Sequence, residues 1–225
     1  MKKYKAAIFD LDGTLLDTLD DLAGAVNHAL GEEGMPLRTR EEVCTFVGNG
    51  IEKLMRRAIP QGTGEEAFQR AFSGFKTYYA LHNNDRTAPY PGIPQLLLRL
   101  KAAGIRCAIV SNKNDANVKA LARLYFPDTV EEAVGGMEGV RLKPAPDTVN
   151  RVLESFHLKP EEALYIGDSD VDVYTARNAL CDCAAVTWGF RSRESLVAAG
   201  AVNLLDTPEE LGRFLLGSSS GFQEV

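Results

Sequence analysis

Pairs of closely spaced carboxylates follow apolar runs at two points of the chain. Asp10 and Asp12 come directly after the apolar run AAIF, and Asp168 and Asp172 follow the similar run ALYIG. Side chains two residues apart on an extended strand point the same way. Acidic groups that are crowded together repel one another, and a hard divalent cation with oxygen ligands relieves that repulsion. The two segments therefore predict a site that binds Mg²⁺.

Polar residues of a second kind lie between the acidic segments. Ser111 and Asn112 end the run RCAIVSN, and Lys143 lies in the loop RLKPAPD. A hydroxyl and an ammonium can hold phosphoryl oxygens while a carboxylate attacks phosphorus, which are the parts of phosphoryl transfer through an aspartyl-phosphate. Each residue alone has a simpler explanation, because Asp and Ser often cap helices and most lysines are solvated. Their combined order along the chain favours the chemical interpretation.

Alternating strands and helices must position these residues. Short, nearly continuous apolar runs are typical of strands covered on both faces. The predicted strands are 5–10, 106–112, 163–168, 184–188 and, more weakly, 201–205, and the predicted helices between them are 94–103, 114–125, 146–156 and 170–180. This alternation predicts an α/β fold with a doubly wound parallel sheet, in which ligands bind outside the carboxyl ends of the strands.

One stretch breaks this rhythm. Residues 18–84 show helical periodicity and no convincing strand, with four predicted helices at 20–31, 40–47, 51–59 and 65–81. We interpret the stretch as a small helical cap inserted after the first strand. The predicted division is therefore a catalytic core of residues 1–17 and 85–217, a cap of 18–84, and a flexible Ser/Gly-rich tail of 218–225.

Composition excludes several classes of protein. The 225 residues include 25 Lys and Arg against 31 Asp and Glu, a net charge of −6, which argues against a general nucleic-acid binder. The apolar runs fall short of the roughly 20 residues that cross a membrane, so no membrane partner is predicted. The four cysteines lack zinc or disulfide spacing, which predicts reduced thiols, three of them buried, in a cytoplasmic protein.

Four motifs together resemble those of the haloacid dehalogenase-like hydrolase superfamily. They are FDLDGTLLDT, VSN, the lysine of RLKPAPD, and YIGDSDVD, and the resemblance covers nearly the whole chain. The segments FVGNG, YPGI and VTWGFRSRESLVAAGA are similar to the phosphoglycolate phosphatase subgroup. The family fold implied is a Rossmann-like core with an inserted helical cap. Leu180 is a departure, since relatives commonly have glycine at that helix end.

The resemblance implies a role for each acidic residue. Asp10 is implied to be the nucleophile and a metal ligand. Asp12 is implied to protonate the leaving oxygen, to take a proton from water, and to bind the metal through its backbone carbonyl. Asp168 is the third protein ligand, and Asp172 supports the metal or its waters, with Asp170 as the weaker candidate for that role.

Other residues are implied to bind the substrate. Ser111 and Lys143 would hold the phosphoryl oxygens, helped by Asn112 and by the backbone N–H groups of Leu11, Asp12 and Gly13. In the cap, Gly48, Asn49 and Gly50 precede a predicted helix. Free N–H groups at a helix N-terminus attract small anions, so we hypothesise that these three residues recognise the carboxylate of 2-phosphoglycolate.

The function implied is a Mg²⁺-dependent phosphatase that acts on a small phosphorylated metabolite. A sugar phosphomutase similar to β-phosphoglucomutase, or a pyrophosphatase, would share the fold and all four motifs, although glycines replace the arginine that mutases usually carry in the cap. A receiver-like phosphate-binding module would share the acidic cluster but has no use for Asp12 and no helical insertion. A monomer and a homodimer are both compatible with the sequence.

Overall fold

The computed structural model describes residues 4–48 and 50–217, so Asn49 and the predicted tail at 218–225 lie outside the described residues. The chain forms two compact units. One comprises Met1–Leu15 and Pro89–Val225, and the other comprises Leu16–Ala88. The divisions fall at 15/16 and 88/89, where the sequence predicts 17/18 and 84/85.

A six-stranded parallel sheet forms the centre of the larger unit. Its strands are β1 (Ala6–Phe9), β4 (Arg106–Asn114), β5 (Glu132–Gly136), β6 (Ala163–Gly167), β7 (Asp182–Val186) and β8 (Asn203–Leu205). Their order is β5-β4-β1-β6-β7-β8. Every residue of β1 and β6 is buried, because a parallel sheet is covered on both faces.

Helices cover this sheet and confirm the predicted α/β class. They are α5 (Ile93–Ala102), α6 (Asp115–Tyr125), α7 (Asp147–Phe156), α8 (Asp170–Asn178), α9 (Arg193–Ala198) and α10 (Pro208–Leu216), with a 3₁₀ turn at Pro160–Glu162. The apolar side of α7 packs on β1, β4 and β6 in one core cluster. The doubly wound sheet is therefore as expected from the alternation of strands and helices.

The register aligns the ends of three strands. Phe9 of β1 pairs with Ile109 of β4 on one side and with Ile166 of β6 on the other. The chain runs from β1 outward to β5 and then returns to β6 on the opposite side of β1. This reversal of direction creates a crevice at the carboxyl end of β1, where α/β proteins bind their ligands.

Three elements of this unit are not among the predicted strands and helices. Strand β5 has the sequence EAVGG, which is neither a continuous apolar run nor alternating, and it forms the edge of the sheet beside β4. Helix α9 has only six residues. Helix α10 begins with two residues that are typical of a helix start. Pro208 lies in its first turn, and the side chain of the N-cap Thr207 accepts from the backbone N–H of Glu210.

The smaller unit contains the four predicted cap helices, inserted in the chain between β1 and β4. They are α1 (Leu19–Glu32), α2 (Arg40–Phe46), α3 (Ile51–Ala58) and α4 (Glu65–His82). Phe68 and Phe75 of α4 are buried, whereas Phe72 is half-buried. The expectation of no strand needs a correction, because the short strands β2 (Leu16–Asp17) and β3 (Ala88–Pro89) pair in a two-stranded sheet.

Two further findings concern burial and length. Cys107 and Cys181 are buried, but Cys44 and Cys183 are only partly so, which corrects the expectation of three buried thiols. In the described part of the chain, no helix combines the length and the apolar character needed to cross a membrane.

The end of α8 explains the departure at Leu180. This residue has a φ of 59°, in the left-handed region, while the N–H of Leu180 bonds to the carbonyl of Arg177 and that of Cys181 to Ala176. This is the Schellman arrangement that favours glycine just after a helix. Leucine is sterically strained in this conformation. Its side chain is 78% exposed, so burial contributes little free energy to offset the strain.

We therefore expect Leu180→Gly to increase the free energy of unfolding by about 0.5–1 kcal/mol, as relief of left-handed strain outweighs the entropy of glycine. Leu98→Gly is the matched control, because Leu98 is also exposed but lies in the middle of α5. That change should cost about 1 kcal/mol. Thermal denaturation of both variants measures the two changes in stability, and a loss of stability in both would contradict the prediction.

Candidate active site

The predicted acidic residues converge at the carboxyl ends of β1 and β6. One carboxylate oxygen from each of Asp10, Asp168 and Asp172 lies within 4.8 Å of the others. Asp10 follows β1 directly, and its N–H bonds to the carbonyl of Ile166 at 2.8 Å. Asp168 and Asp172 flank the start of α8. The strand register described above is what brings residues 158 positions apart into one cluster.

Asp10 has an oxygen available for chemistry. Its Oδ1 accepts from the N–H of Leu11 at 2.7 Å and lies 2.8 Å from the Nζ of Lys143. Among the described residues no hydrogen bond or ion pair engages Oδ2. Burial raises the pKa of Asp10 well above its ordinary value, and the charge of Asp172 raises it further, against the opposing effect of Lys143.

Asp168 is held by two segments distant in sequence. Its Oδ1 accepts from the hydroxyl of Thr14 at 3.0 Å, and its Oδ2 accepts from the N–H of Phe190 at 2.8 Å. The indole N–H of Trp188 donates to the carbonyl of Thr14 at 3.0 Å, which joins the two segments. Burial, followed by the charge of Asp172, raises the pKa of Asp168 to about 7.

Two glycines make room for this carboxylate. A Cβ on Gly13 would lie 2.4 Å from the Oδ2 of Asp168, and one on Gly189 would lie 2.3 Å from the Cβ of Asp168. Gly13 also has a φ of 87°. The role of Gly13 that the structure makes visible is thus close approach to Asp168, while its predicted contact with phosphate stays a prediction.

Asp172 serves the helix and the cluster at once. Its Oδ2 accepts from the N–H and the hydroxyl of Ser169, which closes a capping box at the start of α8. Its Oδ1 accepts from Lys143 at 2.8 Å and from the Tyr165 hydroxyl at 3.0 Å. Four donors use the acceptor capacity of the Asp172 carboxylate. This geometry suits a residue that supports a metal site better than a residue that binds the metal directly.

Asp170 lies apart from these three carboxylates. Its side chain is 41% exposed, and its Oδ1 is 3.8 Å from the Nε of Arg191. Asp170 and Asp172 both belong to the first turn of α8, but only Asp172 joins the buried cluster.

Lys143 supplies a positive charge inside the cluster. Its side chain is buried, with Nζ at 2.8 Å from the Oδ1 atoms of both Asp10 and Asp172. Burial by itself lowers the pKa of Lys143, but the charges of Asp10 and Asp172 outweigh it and raise the pKa well above its ordinary value. When all three carboxylates are ionised, the cluster with its one ammonium carries two negative charges, which a divalent cation would balance.

Asn112 holds the backbone of the lysine loop. Its Nδ2 donates to the carbonyl of Lys143 at 3.0 Å, and its Oδ1 accepts from the N–H of Lys143 at 2.8 Å. The predicted contact of Asn112 with phosphate stays a prediction, and the bonds present here make Asn112 the anchor of Lys143. The N–H of Leu11, another predicted phosphate contact, donates to the Oδ1 of Asp10 at 2.7 Å, and its contact with phosphate stays a prediction.

Asp12 lies beside Ser111 and a second lysine. The Oδ1 of Asp12 is 2.9 Å from the Nζ of Lys113, and its Oδ2 is 3.4 Å from the hydroxyl of Ser111. Lys113 is buried, and the sequence analysis did not single it out. The signal was its position two residues after Ser111, on the same side of β4.

The cap residues are described only in part. Gly48 has a φ of 108° and Gly50 a φ of 88°, and Gly50 is the N-cap of α3. Residues other than glycine rarely adopt these positive φ values, which accounts for glycine at both positions. Asn49 lies outside the described residues.

A family model and a curated relative both match most of this chain. The residue pattern of the family described as haloacid dehalogenase-like hydrolase matches residues 7–186. A phosphoglycolate phosphatase of Rhodospirillum rubrum is 34% identical over 219 residues, which cover 94% of this chain and 90% of that protein.

Two solved structures are similar over nearly the whole chain. The first, from Lactobacillus delbrueckii subsp. bulgaricus and provisionally assigned as a phosphoglycolate phosphatase, has a TM-score of 0.91 and 36% identity, and covers 96% of this chain and 100% of its own. The second is CbbY of Rhodobacter sphaeroides in complex with phosphate, with a TM-score of 0.73, 28% identity, and 93% and 96% of the two chains covered.

The raised pKa of Asp168 predicts a pH-dependent response to metal. The folded state retains this proton up to about pH 7, whereas the unfolded chain loses it near its ordinary pKa of 3.8. Between these values the metal-free protein should lose stability as the pH rises. A cation that displaces the proton should stabilise the protein more at about pH 7.5 than at about pH 5.5.

Melting temperatures with and without Mg²⁺ at the two pH values test this expectation. Asp168→Asn serves as the control, because its amide does not titrate and the pH dependence of the Mg²⁺ effect should shrink. An equal increase in melting temperature at both pH values in the unsubstituted protein would contradict the assignment.

Proposed function

Because this chain belongs to the haloacid dehalogenase-like hydrolases and is a phosphatase among them, we propose that it is a Mg²⁺-dependent phosphomonoesterase that hydrolyses 2-phosphoglycolate. The observation that carries the proposal is the buried cluster of Asp10, Asp168 and Asp172 around Lys143. Relatives that match most of the chain are named phosphoglycolate phosphatases, which supports the choice of substrate.

In the proposed reaction Asp10 is the nucleophile. Its Oδ2 attacks phosphorus, the bond between phosphorus and the ester oxygen breaks, and Asp12 gives a proton to that oxygen. Asp12 then takes a proton from the water that attacks the aspartyl-phosphate, which releases inorganic phosphate and restores the Asp10 carboxylate. The contacts of Asp12 with Ser111 and Lys113 of β4, the strand that pairs with β1, support this role, because they hold Asp12 at the edge of the sheet where Asp10 lies.

Lys143 and Ser111 are proposed to hold the phosphoryl oxygens. The Nζ of Lys143 lies 2.8 Å from the Oδ1 of Asp10, which puts its charge next to the carboxylate that would carry the phosphoryl group. The anchoring bonds from Asn112 keep the loop of Lys143 in place. A preorganised charge of this kind stabilises the transition state.

The donor set fits a magnesium ion. Asp10 and Asp168 each retain acceptor capacity, and Asp172 supports the site through its hydrogen bonds. With all three ionised, two negative charges would be unbalanced without a cation. Mg²⁺ prefers oxygen ligands from a few carboxylates together with water and substrate phosphate. When bound, it would supply Lewis acidity and neutralise charge on the phosphoryl oxygens.

The proposal also includes a location in the cytoplasm and leaves the oligomeric state open. The four free cysteines support a reducing, cytoplasmic environment. Burial raises the pKa of both the Cys107 and the Cys183 thiols to about 12, so neither is a reactive thiolate near neutral pH. The proposal holds for a monomer and for a homodimer alike.

Phosphate release from a panel of esters tests the reaction class. With Mg²⁺, we expect turnover of 2-phosphoglycolate to exceed that of β-glucose 1-phosphate, pyrophosphate and an aryl phosphate. Asp10→Asn should reduce kcat by more than about a thousandfold, because an amide cannot act as the nucleophile. Asp182→Asn is the control, since Asp182 begins β7 at the opposite end of the sheet.

Other outcomes would redirect the assignment. Conversion of β-glucose 1-phosphate to glucose 6-phosphate would indicate a mutase, and preferred turnover of pyrophosphate a pyrophosphatase. Activity that survives in Asp10→Asn would contradict the role of the nucleophile.

The contribution of the cap glycines is tested separately. We propose that the N-terminus of α3 recognises the carboxylate of the substrate, so Gly50→Ala should raise the KM for 2-phosphoglycolate about tenfold and that for an aryl phosphate much less. Gly62→Ala is the control, because Gly62 has nearly the same φ, 86°, and open space around it. Equal KM effects from both variants, or equal effects on both substrates, would refute recognition by α3.

A further inference from the structure

Tyr165 is a buried titratable group that the proposed reaction does not use. Its side chain is fully buried on β6, and its ring packs in the core cluster with Ile8, Val110 and Val152. Its hydroxyl extends from this core to the carboxylate cluster, where it lies 3.1 Å from the Nζ of Lys143 and 3.0 Å from the Oδ1 of Asp172. An aromatic residue that only filled the core would not need a hydroxyl at this point.

The direction of each hydrogen bond follows from the chemistry of the groups. An ammonium has three protons and no acceptor, so Lys143 donates to the hydroxyl oxygen of Tyr165. The proton of that hydroxyl then goes to Asp172, which accepts as a carboxylate. Burial, together with the nearby carboxylates, raises the pKa of Tyr165, so the hydroxyl keeps its proton at neutral pH.

The three protons of Lys143 thus meet three acceptors. They are the Oδ1 of Asp10 at 2.8 Å, the Oδ1 of Asp172 at 2.8 Å and the hydroxyl of Tyr165 at 3.1 Å. A lysine side chain has four rotatable bonds, and two acceptors alone still allow the ammonium to rotate about the line that joins them. The third acceptor removes that freedom.

We propose that Tyr165 is a positioning residue that fixes the ammonium of Lys143 at the point where it meets the phosphoryl group. This inference rests on the proposed phosphatase function and assigns to it a residue from the core of the sheet. The effect of Tyr165 is greatest once Asp10 carries the phosphoryl group. Phosphorylation removes the charge of Asp10, so Asp172 and Tyr165 are then the protein groups that hold Lys143 against the phosphoryl oxygens.

Tyr165→Phe tests the proposal, because it removes one oxygen atom and leaves the packed ring. Tyr4→Phe is a close control. Tyr4 is also buried, its hydroxyl donates to the Oδ2 of Asp182 at 2.7 Å, and it lies at the opposite end of the same sheet. Both variants lose a bond from a tyrosine hydroxyl to a carboxylate, so the control measures what such a loss does to stability alone.

We expect Tyr165→Phe to lower kcat for 2-phosphoglycolate about tenfold to a hundredfold with KM changed less than about threefold, since a hydrogen bond to a charged group is lost and the charge itself remains. Tyr4→Phe should leave both constants unchanged. If Tyr165→Phe changes only the melting temperature, as the control does, or raises KM while kcat is kept, the proposal is overturned.

A second measurement does not depend on turnover. In metal-free protein, ¹⁵N relaxation of the Lys143 ammonium, measured by NMR with lysine-specific labelling, should show larger-amplitude motion in Tyr165→Phe than in Tyr4→Phe or the unsubstituted protein, because the ammonium has lost one of its three acceptors. Equal amplitudes in all three proteins would overturn the proposal. An inactive unsubstituted protein would instead count against the proposed function, and the amplitudes would still decide the role of Tyr165.

Discussion

The position of the Lys143 ammonium between Asp10 and Asp172 is the interaction on which the site depends. Both carboxylates are buried, and without a nearby cation their charges would oppose folding. The loop that carries Lys143 belongs to no helix or strand, so its position is set by bonds from its neighbours. Asn112 fixes the backbone and Tyr165 contacts the ammonium, and each of them lies on a strand that pairs directly with β1.

Asp172 links this electrostatic arrangement to the start of a helix. One oxygen of its carboxylate caps α8 through Ser169, while the other contacts Lys143 and Tyr165. Gly167 permits this double use, because a Cβ there would lie 2.3 Å from the Cβ of Asp172. Helix capping and membership of a charged cluster are alternative explanations for an acidic residue after a strand, and the single side chain of Asp172 does both.

The sequence predicts the main elements because their signals are local. Apolar runs mark β1, β4 and β6, and helical periodicity marks α1 to α4, whereas β5 depends on its neighbour β4 and has no distinct pattern of its own. Residues named by motif, such as Asp10 and Asp168, are brought together as expected. Tyr165 is different, since within an apolar strand it looks like an ordinary core residue, and only the folded structure brings its hydroxyl to Lys143.

The central place of β1 in the sheet has a consequence for how the protein forms. Its first partner strand lies about a hundred residues later in the chain and its second begins at Ala163, so most of its backbone pairing is non-local. As the ribosome delivers the chain from the N-terminus, residues 16–88 are complete before either partner strand has been made. The helical unit can therefore gain its own contacts first, while β1, the strand that leads to Asp10, still has no partner strand.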